Sequence, residues 1–268
     1  MKKLIKVMVP VLAIMLGVTS CDKLPTTTTP TTTTPTNTTP TSPTPVTPSP
    51  NGNYWGVLAA IQMEFAYSNP QIPVPVSIKS DIASASFFDG AGSSNLTGAG
   101  KVMVNNIELT NNSNAYSVTA TAGLTPATLN LTGSSIDWDV AGSGNVAAFS
   151  HSHTGAMPEY TGTSSLPTTI DRSQNLDITL GSKVSNADSV YVLIITPNSS
   201  TPLMKAYSAK PAPAKATFTA SELGGLSAVA DNGAYVEVVA FKYAIATKNS
   251  RQYVFVKEYA AVSAATIN

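Results

Sequence analysis

Ser135-Ile136-Asp137-Trp138-Asp139-Val140 alternates strictly between polar and apolar side chains, so in an extended chain Ile136, Trp138 and Val140 fall on one face and Asp137 and Asp139 on the other. A helix would scatter the same six residues around its surface. The segment therefore predicts a β-strand whose Trp138 faces a core. Working outward, Val57, Ala59, Ile61, Met63 and Phe65 alternate in the same way. Val102 and Val104, then Ile107 and Leu109, flank Asn105-Asn106, a two-residue hairpin turn because Asn tolerates positive φ. Further strands are predicted over 84–88, 116–120 and 128–131, and then over 177–180, 190–196, 216–219, 235–243 and 253–260. The near-continuous apolar run 190–195 predicts a central strand covered on both faces. Residues 219–226 predict one short helical turn, opened by a Thr or Ser cap with Glu222 nearby and stopped by Gly224. Asn232-Gly233 predicts a turn leading into Tyr235. No stretch holds a 3.6-residue period through three turns, so the fold class is all-β.

The composition changes near Leu166-Pro167, from Gly/Ser/Asn-rich segments to longer apolar runs. Sandwiches usually take about 100 residues each. Two antiparallel β-sandwich modules, 51–163 and 164–268, are therefore expected after a signal peptide (1–20) and an anchor with a disordered linker (21–50). A turn followed by Tyr235 at a strand start resembles the corner of immunoglobulin-like and fibronectin-like sandwiches, which makes the second module the immunoglobulin/fibronectin-like one.

Lys2, Lys3 and Lys6 precede an apolar run from Val7 to Val18, too short to span a bilayer and suited to a secretory signal peptide. The run ends in Val18-Thr19-Ser20-Cys21, which resembles a bacterial lipobox: an aliphatic residue, two small residues, then the cysteine that carries lipid. Cys21 is also the chain's single cysteine, which excludes an internal disulfide and cysteine-based metal sites. Acyl chains on Cys21 would bind a membrane at about 0.8 kcal/mol per buried methylene. The implied location is the bacterial cell envelope, with the outer membrane as the expected destination; Asp22 resembles an inner-membrane retention signal of some Gram-negative bacteria.

Residues 25–50 are 14 Thr, 8 Pro and four others, Asn37, Ser42, Val46 and Ser49. With one aliphatic side chain and no charge, such a tract builds no core and is expected to stay disordered. Closely spaced prolines favour polyproline II, which at about 3.1 Å per residue reaches on the order of 75 Å. A plain spacer and an O-glycosylated stalk both fit this composition.

The folded region resembles a group of Bacteroidota-type surface lipoproteins that combine a lipobox, a Thr/Pro-rich linker and β-sandwich modules. The resemblance rests on Ala85-Ser86-Phe87-Phe88, Gly100-Lys101-Val102-Met103-Val104-Asn105-Asn106, Trp138-Asp139-Val140-Ala141-Gly142, Leu166-Pro167 and Ala187-Asp188-Ser189-Val190-Tyr191-Val192. It spans most of residues 54–262 and implies a fold without implying an activity.

The first 50 residues hold four of the 15 basic and one of the 15 acidic residues, leaving 11 against 14 and a net charge of −3 over residues 51–268. That balance excludes the basic footprint of a nucleic-acid binder. His151 and His153 lie two apart, so in a strand both imidazoles share a face and offer a metal two ligands, with Glu159 as the third. The plainer reading is a pair of exposed, unliganded histidines. Asp137 and Asp139 stand about 6.6 Å apart on one strand face, a spacing that suits calcium or a pair of glycosidase carboxylates, and equally an ordinary solvated face. No Gly-x-Ser-x-Gly elbow, phosphate-binding loop or dinucleotide fingerprint occurs. Asp188-Ser189-Val190 resembles an Asp-Ser/Thr-aliphatic O-glycosylation acceptor, with Ser189 as the modified residue.

Three functions follow as expectations. The first is a non-catalytic surface protein for recognition or adhesion, held to the membrane through Cys21 and touching a protein or glycan, with no cofactor. The second is a carbohydrate-binding accessory whose Trp55, Tyr54 or Tyr160 rings stack on sugars. The third is a hydrolase using the Asp137/Asp139 pair.

Overall fold

A computed structural model describes residues 53–67, 76–121, 129–197, 199 and 201–268. The leader, Cys21, the Thr/Pro tract and the start of the strand expected at 128–131 lie outside the described residues. The described chain is all-β. Its strands are β1 (Gly56–Tyr67), β2 (Val76–Phe87), β3 (Val102–Val104), β4 (Ile107–Glu108), β5 (Thr110–Asn112), β6 (Ala115–Thr121), β7 (Ser135–Val140), β8 (Phe149–Thr154) and β9 (Glu159–Tyr160). They continue with β10 (Thr169–Ile170), β11 (Leu176–Thr179), β12 (Val184–Ser185), β13 (Ser189–Ile195), β14 (Leu203–Ser208), β15 (Lys215–Phe218), β16 (Val229–Lys248) and β17 (Arg251–Ile267).

One nine-stranded sheet organises them, in the order β14-β13-β16-β17-β1-β2-β6-β5, with β10 added beside the end of β17. The pairings are antiparallel except for β1 with β17 and β10 with β17, which are parallel, so the sheet is mixed where an antiparallel one was expected. A separate sheet, β4-β3-β7-β8, packs on the inner face: Val104, Ile136, Trp138 and Val140 share a core with Leu58, Ala85, Tyr116, Tyr253 and Phe255. A second core joins Ile178, Phe218, Leu223 and Tyr160 to Val190, Val192, Val236, Val238 and Ala261. The cores part between Met157 and Tyr160, near the expected module boundary. The sheet does not part there, because β17 supplies Phe255 to one core and Ala261 to the other.

Polar side chains mark the gap on the inner face. Tyr259 Oη and Ser77 Oγ both donate to the Glu64 carboxylate, the latter at 2.6 Å, and Lys257 Nζ donates to the Gly155 carbonyl. Such groups are retained in an interior only with partners, and here they divide one apolar face into two.

Local chemistry explains most boundaries. Asn105 and Asn106 both have positive φ, as a type I′ hairpin turn requires. Asn249 and Ser250 do the same between β16 and β17, a turn the sequence reading missed. The helical turn is Ala220–Leu223; Glu222 N–H donates to Thr219 Oγ1 at 3.3 Å and Thr219 N–H to Glu222 Oε2 at 2.8 Å, a complete capping box.

Three expectations need correction. Leu129 to Leu131 form no strand: Asn105 Nδ2 donates to the carbonyls of Leu129 and Asn130, and the two leucines enter the first core from a loop. Asn232-Gly233 is no turn between elements but an irregularity inside β16, where positive φ at Asp231 and Asn232 absorbs a register shift between Val229 and Ala234. Tyr235 consequently sits within a long strand rather than at its start, tilted against Phe65 at 6.3 Å.

Candidate recognition surface

Register decides which side chains share a face. On β17 the odd residues Tyr253, Phe255, Ala261 and Ala265 enter the two cores, so the even residues, Val254 to Ala264, take the outer face. Pairing carries that parity across the sheet. Val57, Ala59, Ile61, Met63 and Phe65 of β1 lie outward, as do Tyr235, Glu237, Val239, Phe241, Tyr243 and Ile245 of β16 and Tyr191, Leu193 and Ile195 of β13. Three apolar clusters form on this face, and their members all come from this sheet apart from Tyr54.

The exposed large apolar side chains among the described residues are Ile78, Met204, Tyr243 and Ile245, at 46%, 50%, 40% and 45% exposure. Ile78 pairs with Phe65 and Met204 with Leu193, which puts all four on the outer face. A row of rings crosses it: Tyr191 stacks on Phe241 at 5.1 Å, and Phe241 on Tyr243 at 6.4 Å. The basic residues Lys79, Lys205, Lys242, Lys248, Arg251 and Lys257 all take the inner parity, as do Glu64 and Asp81, whereas Glu237 and Glu258 take the outer one. Both glutamates are buried. Burial, reinforced by the Glu258 charge, raises the Glu237 carboxyl well above the usual range, and neither of its oxygens has a hydrogen-bond partner among the described residues.

The rings named from sequence are elsewhere. Tyr54 is buried, and Tyr160 is buried with its Oη donating to the Thr179 carbonyl at 3.0 Å. Trp55 packs against the first core, and the Arg251 guanidinium covers its ring at 3.9 Å. None of the three is an open platform for a sugar. The ring that is open, Tyr243, was signalled by the alternation Phe241-Lys242-Tyr243-Ala244-Ile245, with large apolar residues on one parity and lysine on the other.

The histidines are not exposed, contrary to the plainer expectation. His153 is 4% accessible and His151 half-buried, with the His151 ring stacked on Phe255 at 3.8 Å. Their rings stand 6.4 Å apart. Burial lowers His153 to about 4, and the Lys257 charge pushes it the same way; burial and Lys248 lower His151. Both imidazoles are neutral near pH 7, yet ammonium groups surround them, which opposes a bound cation. Glu159 is exposed on β9, where Ser185 Oγ donates to it at 3.5 Å. Among the described residues no three His, Cys, Asp or Glu side chains are grouped to hold a metal ion.

Asp137 and Asp139 are exposed on the outer side of β7, while Ile136, Trp138 and Val140 are buried. With Asn106, Ser150, Ser152 and Lys248 they border an open depression of about 280 Å³. Ser189 opens β13, half-buried between Ser208 and Phe241 in the register. Asp188 before it has structural work: its carboxylate pairs with Lys210 and accepts the Tyr243 N–H at 3.2 Å.

Compared with known protein families, curated proteins and solved structures, the chain matches none.

Proposed function

We propose that the protein is a lipid-anchored component of a bacterial cell envelope that displays its β region for non-catalytic recognition or adhesion, and that the outer face of the nine-stranded sheet makes the contact. The observation that carries this reading is that the exposed large apolar side chains among the described residues, Ile78, Met204, Tyr243 and Ile245, all take the outer face, with Tyr243 and Ile245 side by side on β16 next to the Tyr191–Phe241 ring pair. Apolar residues scattered singly over a surface need no explanation, but a one-sided group suits a partner. The sheet edges are poorer candidates. β14 carries Lys205 turned inward to Glu222 at 2.8 Å, and β5 is three exposed polar residues long, both devices that blunt strand addition. Lipid on Cys21 and a spacer over 25–50 support display away from the membrane, on the outer membrane in this reading.

A carbohydrate ligand is the second reading, and the ring row ending in exposed Tyr243 favours it. Nothing comparable favours hydrolysis through Asp137 and Asp139, which share one exposed face, whereas acid–base pairs work by occupying different environments.

The test of display is whole-cell attachment to protein-coated and polysaccharide-coated surfaces with the linker at full length, at half length and deleted, and with Cys21→Ser. Attachment that falls stepwise with linker length and is lost in Cys21→Ser supports the reading. Equal attachment across the series, or a folded region inaccessible to external protease, contradicts it.

A further inference from the structure

On the inner face, where β16 and β17 pass between the two cores, Lys242 and Lys257 are directly paired in the register. Like charges opposite one another on antiparallel strands are destabilising. The environment does little to relieve them. Lys257 is fully buried and Lys242 half-buried, and the ion pairs among the described residues are made by Lys79, Lys101, Lys205, Lys210 and Lys215. Lys257 Nζ donates to the Gly155 carbonyl. Lys242 Nζ is crowded against the same residue, 3.0 Å from where a Cβ on Gly155 would stand. His153 is buried, feels the charge of both, and leaves Nδ1 without a hydrogen-bond partner among the described residues. Burial and the neighbouring Lys242 charge lower Lys257 to about 8, against an opposing pull from Asp137. Asp188, which lines the same hollow as Lys242, is taken by Lys210 and the Tyr243 N–H.

Lys242 also forms a wall of a hollow of about 360 Å³ whose other borders are the turn from Val184 to Asp188, Ala209 and Lys210. The ammonium groups of Lys210 and Lys242 and one carboxylate line it, and buried Lys257 is paired with Lys242 in the register; Ser185 and Asn186 add hydrogen-bonding groups.

We propose that this hollow is an oxyanion site, in which Lys242 pairs with a carboxylate or phosphate group and Lys257, its register partner, supplies further positive potential. An anion there would separate the two ammonium charges that the register forces together. The site lies on the opposite side of the sheet from Tyr243, so it does not depend on the outer face being the contact surface. An acidic sugar and a phosphate group share the required chemistry.

The experiment melts the full-length protein at pH 7.5 in sodium phosphate, sodium glucuronate and sodium chloride at matched ionic strength. In parallel, lysine titrations are followed by NMR of 13C-methylated side chains, a modification that keeps the charge. The expected result is a melting temperature higher by roughly 3–6 °C once the anion stands tenfold above its dissociation constant. Lys257 should titrate higher in the presence of that anion than in chloride. Both effects should vanish in Lys242→Met and persist in Lys183→Met. A response to phosphate alone assigns a phosphate-type ligand, and a response to glucuronate alone assigns an acidic sugar. No rise beyond chloride with either anion, or a rise that survives Lys242→Met, overturns the proposal.

Discussion

The two faces of the nine-stranded sheet are built from the same strands yet follow different rules. The inner face meets a second layer and fills two cores; of its lysines, Lys79 and Lys205 are ion-paired, Lys257 donates to a carbonyl and Lys242 stands at the gap between the cores. The outer face has apolar clusters drawn almost wholly from its own strands, four exposed large apolar side chains among the described residues, and two buried carboxylates, Glu237 and Glu258. Layered packing accounts for the inner face as a source of stability. Ile245 and Met204 stay in the open on the other face, where they add little to stability. The difference teaches that sequence apolarity in β16 and β17 serves two purposes, one per parity.

Substitutions should separate the faces, beginning with the largest effect. Trp138→Ala removes a buried indole from the contact between the small sheet and the inner face and should cost about 3–5 kcal/mol in denaturant unfolding. A loss below about 1 kcal/mol would mean that the small sheet is not packed there. The same layer should respond to acid. His153 is held at about 4 in the fold against 6.5 unfolded, so its contribution is complete above pH 6.5 and is lost as pH falls from 6.5 to 4. Stability should decline by about 2–3 kcal/mol over that interval and decline less in His153→Leu. Identical pH profiles for the two proteins would contradict a buried neutral imidazole.

The outer face should behave in the opposite sense. Glu237 has a raised pKa, so the fold tolerates it best when protonated, below pH 4.5, and is penalised as pH rises. Glu237→Leu should therefore raise stability at pH 7 by about 1–3 kcal/mol, the cost of a buried group without a partner, and flatten the profile above pH 4.5. Destabilisation would show that the carboxylate is satisfied. The smallest effect is expected for Ile245→Ser, within about 0.5 kcal/mol of wild type because the side chain is already exposed. A loss of 2 kcal/mol would place Ile245 in a core and remove it from the recognition surface.

How much of this was legible in the sequence follows from range. The alternation in β7 fixed its faces correctly, down to buried Trp138 and exposed Asp137 and Asp139, because a strand's period is local. The Asn105-Asn106 turn and the Thr219–Glu222 cap were legible for the same reason. The parallel pairing of β1 with β17 joins residues nearly 200 positions apart and leaves no local mark. That pairing is why the expected modules share one sheet. Ring exposure was misjudged at Trp55 because Arg251, which covers it, belongs to a distant strand. The histidines were misjudged because burial on β8 depends on Phe255 opposite, and the lysine pair was missed because Lys242 and Lys257 meet only across the β16–β17 register.

The central claim, that the outer face is the contact surface, is tested most directly by a paired substitution, Tyr243→Ser with Ile245→Ser, in the anchored full-length protein on whole cells. Attachment to protein-coated and polysaccharide-coated surfaces is measured at matched surface level, alongside the melting temperature of the purified variant. The account predicts attachment reduced at least tenfold, with a melting temperature within a few degrees of wild type. Undiminished attachment by a folded variant would contradict it and move the contact to another part of the molecule.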